Sequence, residues 1–208
     1  MPTVYSHAAR FKINLRGMVE NTEQSRTLAL VGMPGAGKTV CAEYLAERGY
    51  WTLRFGGLVV DEVRRRGWLV NAENERVVRE DMRDRHGMAA MAALSLPRLQ
   101  AALAEKRNIV IDGLYSFSEY QLLRRELGAP LLLLAIVAPR HLRYQRLANR
   151  PVRPLNAEQA LQRDTREIER LEKGGPIAMA DYTLLNAGGA AQLLAQLDAL
   201  LERLDFLP

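Results

Sequence analysis

Residues 27–39 read Thr-Leu-Ala-Leu-Val-Gly-Met-Pro-Gly-Ala-Gly-Lys-Thr, an apolar run followed by a glycine-rich loop that ends in Lys-Thr. The apolar run has the length of a buried strand. Gly32, Gly35 and Gly37 let the backbone curl so that several N–H groups point into one hollow. A helix starting near Lys38 adds the positive end of its dipole to that hollow. G-x-x-x-x-G-K-[ST] between a strand and a helix is the phosphate-binding loop, in which the lysine reaches the β- and γ-phosphates and the hydroxyl meets Mg²⁺. The sequence therefore predicts a nucleoside triphosphate, ATP with Mg²⁺, held by Gly32, Pro34, Gly35, Ala36, Gly37, Lys38, Thr39 and Val40, with Thr39 on the metal.

The rest of the chain alternates in period. Strands are expected at about 27–31, 50–55, 108–113, 131–138 and 182–185. Helices are expected at about 38–48, from beyond a break at Gly56-Gly57 to Arg66, across 73–106 with Gly87 and Pro97 as punctuation, up to Leu127, and at 140–149, 157–171 and 190–204. Strands alternating with helices predict an α/β fold, a five-stranded parallel sheet flanked by helices. Ligands of such sheets bind at the carboxyl ends of the strands. The phosphate loop, Asp112, Pro139 and Asn186 are all expected there, in one cleft. Residues 1–26 break the pattern and read as an arm appended to a domain of residues 27–208, available for contact with a second copy of the chain.

Composition excludes several classes. The single cysteine, Cys41, rules out a disulfide framework and a cysteine metal site, and it reads as a small buried helix residue. His7, His86 and His141 are scattered without metal spacing. There is no run of 18 apolar residues and no secretory pattern, so the expectation is a cytoplasmic protein with no membrane partner. The net charge of +5 comes with arginine clusters at 64–66 and 140–153. No aromatics interleave with them and no nucleic-acid module is present, so the charge does not point to nucleic acid. Trp51 and Trp68 are expected to pack around the second strand and the helix after it.

Two further features bear on chemistry. Asp112 ends an apolar strand, where a carboxylate would organise Mg²⁺ or orient an attacking hydroxyl; the alternative is a turn-capping aspartate. Arg146 and Arg150 share a helix face, Pro151 and Pro154 interrupt the chain, and a second helix returns with Arg163 and Arg166. This is the form of a lid over about 146–166, whose arginines neutralise charge as it closes. Lys38, Asp112, Arg146, Arg150, Arg163 and Arg166 are thus the candidate catalytic residues, with Thr39 and Asp112 for the metal.

Taken in order, Gly32–Thr39, Arg83 with Gly87-Met88, Ile109–Gly113, Arg143-x-x-Arg146, Arg163-Asp164-x-Arg166-Glu167 and Ala180-Asp181-Tyr182 leading to Asn186-Ala187-Gly188 make the chain resemble the nucleoside monophosphate kinases. Within them it is most similar to the archaeal and bacterial family related to adenylate kinase and dephospho-CoA kinase. The resemblance runs from residue 27 to the C-terminus. It implies a kinase-type five-stranded sheet, a lid, Mg²⁺-ATP as donor, and Asn186 and Gly188 near the adenine. The acceptor half departs from the pattern. Where such kinases carry Gly-Asp-x-x-Arg, this chain has Gly56-Gly57-Leu58-Val59-Val60, and Tyr115-Ser116 stand where an arginine often follows Asp-Gly. An apolar valine cannot replace a bidentate guanidinium. Arg64, Arg79 and Arg83 are the candidate replacements for a phosphate-bearing acceptor; Asp61 and Tyr115 are the candidates for a neutral hydroxyl.

The reading is an ATP- and Mg²⁺-dependent phosphotransferase acting on a nucleotide or related small molecule. Its rival is an ATP-binding regulatory or assembly protein whose acceptor site has lapsed.

Overall fold

The computed structural model describes residues 25–208. The arm expected at 1–26 therefore lies outside the described residues, except for Ser25 and Arg26. Arg26 is tied into the domain: its Nη1 donates to the Leu204 carbonyl at 2.6 Å, and its backbone N–H donates to Asn108 Oδ1 at 2.8 Å.

Five strands form one parallel sheet: β1 (Thr27–Val31), β2 (Trp51–Arg54), β3 (Ile109–Asp112), β4 (Leu131–Val137) and β5 (Tyr182–Leu185), in the order β2-β3-β1-β4-β5. β1 is central and buried along its whole length. Its alternation splits the interior. Leu28 and Leu30 point to one face, against α1 (Lys38–Glu47) and α9 (Ala190–Arg203) through Leu45, Leu193 and Leu197. Ala29 and Val31 point to the other, against α2 (Phe55–Arg65), α4 (Ala90–Ala104) and α5 (Phe117–Glu126) through Phe55, Leu99 and Leu123. α3 (Ala72–His86) buries only Val78 and packs outside α2 and α4. α6 (Arg140–Asn149) and α7 (Ala157–Glu169) follow β4 and pack on each other, and a short α8 (Gly174–Ala178) precedes β5.

The expected α/β sheet is present, with differences in detail. Gly56-Gly57 do not break the chain; they sit in the first turn of α2, which begins at Phe55. Pro97 does not punctuate: it lies inside α4. That helix buries Ala90, Met91, Ala92, Leu99 and Ala102, and this burial outweighs the one hydrogen bond that proline removes. Gly87, by contrast, ends α3 with φ 74°. Trp51 packs against the core, whereas Trp68 is 41% exposed beside the Arg66 guanidinium, outside the packing expected for it. α8 was not legible in the sequence.

Candidate active site

The carbonyls of the loop between β1 and α1 are held by side chains. Those of Gly32 and Met33 accept from Lys38 Nζ at 2.6 and 3.2 Å, that of Pro34 from Arg143 Nη1 at 3.0 Å, and that of Ala36 from Asn186 Nδ2 at 2.8 Å. Arg146 Nη1 lies 3.5 Å from the Gly35 carbonyl. Within the loop the Ala36 N–H donates to the Met33 carbonyl at 3.2 Å, and in a loop of this kind the N–H groups that are not so used, with those of the first turn of the helix, are the donors for an anion. α1 has no acidic residue in its first turn and no side-chain cap, so its N-terminus is left to an anion. Glycine is required here sterically. A Cβ on Gly32, at φ 142°, would stand 2.3 Å from the Ile136 carbonyl oxygen, and one on Gly37 would stand 2.5 Å from Asn186 Nδ2. Thr39 and Val40 are exposed at the mouth. Burial lowers the Lys38 ammonium to a pKa of about 7, helped by repulsion from Lys173 and opposed by Glu167 and Asp112. Cys41 is buried and its thiol is pushed up to about 12, which makes it inert, as expected for a core position.

Asp112 ends β3 as predicted, 7% exposed, and burial raises its pKa. Parallel pairing sets it opposite Arg54, the last residue of β2, and Arg54 Nε stands 3.5 Å from Asp112 Oδ2. Sequence reasoning missed Arg54, although its place at a strand end, just before Phe55-Gly56-Gly57, was a usable signal. A protein that supplies one hydroxyl, Thr39, and one carboxylate, Asp112, fits Mg²⁺, which takes its other ligands from phosphates and water. Among the described residues no group of three or more His, Cys, Asp or Glu could hold a metal unaided.

The other candidates separate. Arg146 is brought to the loop: its Nη2 donates to the Asn186 carbonyl at 3.1 Å and Oδ1 at 3.2 Å, and to the Gly188 carbonyl at 3.0 Å. Asn186 is buried, and both polar ends of its side chain are engaged within the protein. Arg150 instead turns back to the Arg153 carbonyl at 2.5 Å. Arg163 pairs with Glu167 at 3.0 Å, and Arg166 is exposed. Arg143 forms a two-pronged pair with Asp164, at 3.0 and 2.6 Å, that ties α6 to α7 and to the phosphate loop.

Of the residues expected at the acceptor, Arg64 is exposed and pairs with Asp61 at 3.6 Å; Arg79 stands 4.0 Å from Glu75, which also takes Arg153 at 3.1 Å. Neither arginine is brought to Asp112 by these pairings. Arg83 is partly buried, and its Nε has no hydrogen-bond partner. Tyr115 folds back so that its hydroxyl oxygen stands 2.9 Å from where a Gly113 Cβ would be and 3.6 Å from where a Gly56 Cβ would be. Sequence reasoning also missed two buried charged residues beside it. Lys173 has its ammonium 4.8 Å from the Tyr115 ring centroid. Glu119 caps α5, accepting from the Tyr115 and Ser116 N–H groups at 2.7 and 3.1 Å.

Burial raises Glu119 from the usual 4.5 to about 7. In that window the folded state holds a proton the unfolded state has lost, so the stability due to the neutral carboxyl is present below about 4.5 and lost as pH rises to about 7. Glu119→Gln should flatten this part of the stability–pH curve in urea unfolding. Equal slopes for the two proteins over that range would contradict it.

A family model described as an AAA domain matches residues 28–172. A UPF0200 protein of Thermococcus kodakarensis is 31% identical over 178 residues, covering 84% of this chain and 96% of the relative. One of Aeropyrum pernix is 34% identical over 168 residues, covering 80% and 87%. A UPF0200/UPF0201 protein of Archaeoglobus fulgidus is 29% identical over 87% of this chain, which spans 56% of that longer relative. Among solved structures, TT1252 from Thermus thermophilus aligns with a TM-score of 0.60 at 21% identity, over 86% of this chain and 98% of that one. Shikimate kinase from Acinetobacter baumannii aligns with a TM-score of 0.54 at 21% identity, over 89% and 97%. These likenesses show a P-loop kinase fold. With the phosphate loop, the sheet order and the matched relatives in agreement, the chain belongs to the UPF0200 family of P-loop proteins.

Proposed function

We propose that the protein is an ATP- and Mg²⁺-dependent phosphotransferase that acts on a nucleotide or related small molecule. The observation that carries this reading is the pairing of an uncapped α1 N-terminus, with Lys38 at its mouth, and a buried carboxylate, Asp112, on the neighbouring strand end. The loop N–H groups and Lys38 bind the phosphates of the donor, while Thr39 and Asp112 hold Mg²⁺, which neutralises phosphate charge when bound. Phosphoryl transfer is chiefly a matter of position and charge. The acceptor oxygen, a phosphate oxygen of a nucleoside monophosphate or a hydroxyl oriented by Asp112, attacks the γ-phosphorus in line. The bond to the β,γ-bridging oxygen breaks with its electron pair on the leaving nucleoside diphosphate, and a hydroxyl acceptor passes its proton to the Asp112 carboxylate. Arg146 holds Asn186 and Gly188 against the loop, and Arg163, Arg150 and Arg166 supply the charge of the lid. Arg54, Arg83 and Tyr115 line the acceptor side.

The engagement of Arg64 and Arg79 with neighbouring carboxylates favours a second reading, an ATP-binding regulatory protein with no efficient acceptor reaction. The test is transfer from Mg²⁺-ATP to a panel of nucleoside monophosphates, deoxynucleoside monophosphates, dephospho-CoA and nucleosides, read by product mass, with Lys38→Ala as control. A product that vanishes in the control is expected. ATP binding without any product would move the assignment to the second reading, and absence of ATP binding would overturn both.

A further inference from the structure

Arg54 is at once the last residue of β2 and the residue from which α2 starts. Parallel pairing puts it opposite Asp112, and its Nε stands 3.5 Å from Asp112 Oδ2. Asp112 is 7% exposed, whereas the Arg54 side chain is 64% exposed. The guanidinium is thus held at one edge by a buried carboxylate and open at the other. Among the described residues it has this one ion pair and no hydrogen bond. A guanidinium presents its N–H donors in a rigid fork that matches a phosphate or a carboxylate, and Nε is the atom nearest Asp112, so the Nη groups are available to a second oxyanion. Arg64 and Arg79 are turned to Asp61 and Glu75, which leaves Arg54 as the arginine beside Asp112.

The residues around that fork carry no side chains. Gly56 and Gly57 form the first turn of α2. A Cβ on Gly56 would stand 3.6 Å from the Tyr115 hydroxyl oxygen and 3.9 Å from Arg54 Nε, and one on Gly57 would stand 3.9 Å from Arg54 Cβ. Those are ordinary van der Waals distances, and neither glycine has a positive φ. Neither sterics nor backbone conformation therefore requires glycine at these positions, and a helix disfavours it. What the two glycines provide is room beside Arg54 and the Tyr115 hydroxyl. α2 also has no acidic residue in its first turn and no side-chain cap, so the N–H groups that wall this space have no acceptor within the helix or from a cap. The helix start is only the wall; the charge that selects a ligand is Arg54.

We propose that Arg54 determines the specificity of the acceptor site: its guanidinium binds an oxyanion of the acceptor in the space over Gly56 and Gly57, with the Tyr115 hydroxyl as a neutral donor beside it. This rests on the phosphotransferase reading and gives its acceptor a class. Because Nε keeps to Asp112, the bound anion lies one guanidinium away from the carboxylate that orients the acceptor. The acceptor is therefore a phosphate monoester, whose own oxygen attacks, or a hydroxy acid whose hydroxyl is a few bonds from its carboxylate. A nucleoside has no anion to place there and is not a substrate.

The experiment is an NMR titration of the full chain with methyl phosphate and, separately, with glycolate, after the phosphate loop has been filled with Mg²⁺ and β,γ-imido-ATP. Binding is read at the Gly56 amide in the wild type, in Arg54→Gln and in Gly57→Asp, whose new carboxylate would face Arg54 and neutralise it. Loss of a hydrogen-bonded charge predicts about 10- to 100-fold weaker anion binding in Arg54→Gln, with the affinity for β,γ-imido-ATP unchanged. Gly57→Asp should weaken the anions in the same way, and it decides the question if Arg54→Gln does not fold. Tighter binding of methyl phosphate than of glycolate makes the acceptor a phosphate monoester; the reverse order makes it a hydroxy acid. If the wild type binds the analogue but neither anion, or if Arg54→Gln binds the anions as the wild type does, the proposal is overturned and the phosphotransferase reading stands. An equal loss of anion and analogue affinity would make Arg54 a brace of the fold and also overturn it. Wild-type protein that does not bind the analogue removes both.

Discussion

Lys38→Ala is expected to reduce phosphoryl transfer by about 10²- to 10³-fold or more, the cost of deleting one well-placed donor to transition-state charge, without loss of stability. The two halves of this expectation have one cause. The Lys38 ammonium rests on two backbone carbonyls, and among the described residues its hydrogen bonds go to no carboxylate. Burial and the neighbouring Lys173 lower its pKa to about 7, well below the usual 10.5. A base whose folded-state pKa lies below its unfolded value costs stability, fully so below about pH 7 and less as pH rises towards 10.5. The Ala variant should therefore melt at the same temperature as the wild type or higher, with the gain largest below pH 7. Calorimetry and product mass on the same samples test this. A variant that melts lower and still transfers phosphate would make Lys38 a structural residue.

Asp164→Ala is expected to destabilise the protein by about 3–5 kcal/mol, the cost of leaving a buried charge without its partner. Both side chains of the Arg143–Asp164 pair are 8% exposed, and both guanidinium prongs are engaged. Arg143 also holds the Pro34 carbonyl, so the stranded charge would lie directly behind the phosphate loop. Nucleotide affinity should fall with stability. The double variant Arg143→Met/Asp164→Leu should recover much of the stability, because apolar replacement of a buried pair is often neutral, but not the affinity. Urea unfolding measures the first and nucleotide titration the second. A loss below about 1 kcal/mol would put the pair in the class of exposed ion pairs.

What was legible in the sequence was local. The phosphate loop announces itself because its glycines, its lysine and its flanking strand and helix are contiguous. β5 is found at its expected residues, 182–185, because a short apolar run between polar neighbours has few other solutions. Asp112 was legible for the same reason. Pro97 was misleading because a local rule lost to burial along α4. Arg54 and Lys173 were missed because their meaning lies in partners far along the chain: Arg54 depends on the register of β2 with β3, and Lys173 on Glu167 and on a tyrosine 58 positions away. The arginines expected to act together over 146–166 separate in the structure: Arg146 and Arg150 sit one turn apart, yet one meets Gly188 and the phosphate loop and the other its own chain.

The sheet order carries a consequence for the history of each molecule. Among the described residues β1 is the first strand in chain order, but its neighbours are β3 and β4, with Thr27 set against Ile109 on one side and Leu131 on the other. A nascent chain that has reached residue 108 holds the whole phosphate loop and neither of the strands that would flank it. Pairings this distant must close a long loop before they return any energy, which slows assembly. The phosphate loop is thus flanked only after β4 has been made, and a nucleotide that binds there would stabilise a chain already paired across β3, β1 and β4 instead of guiding a shorter one.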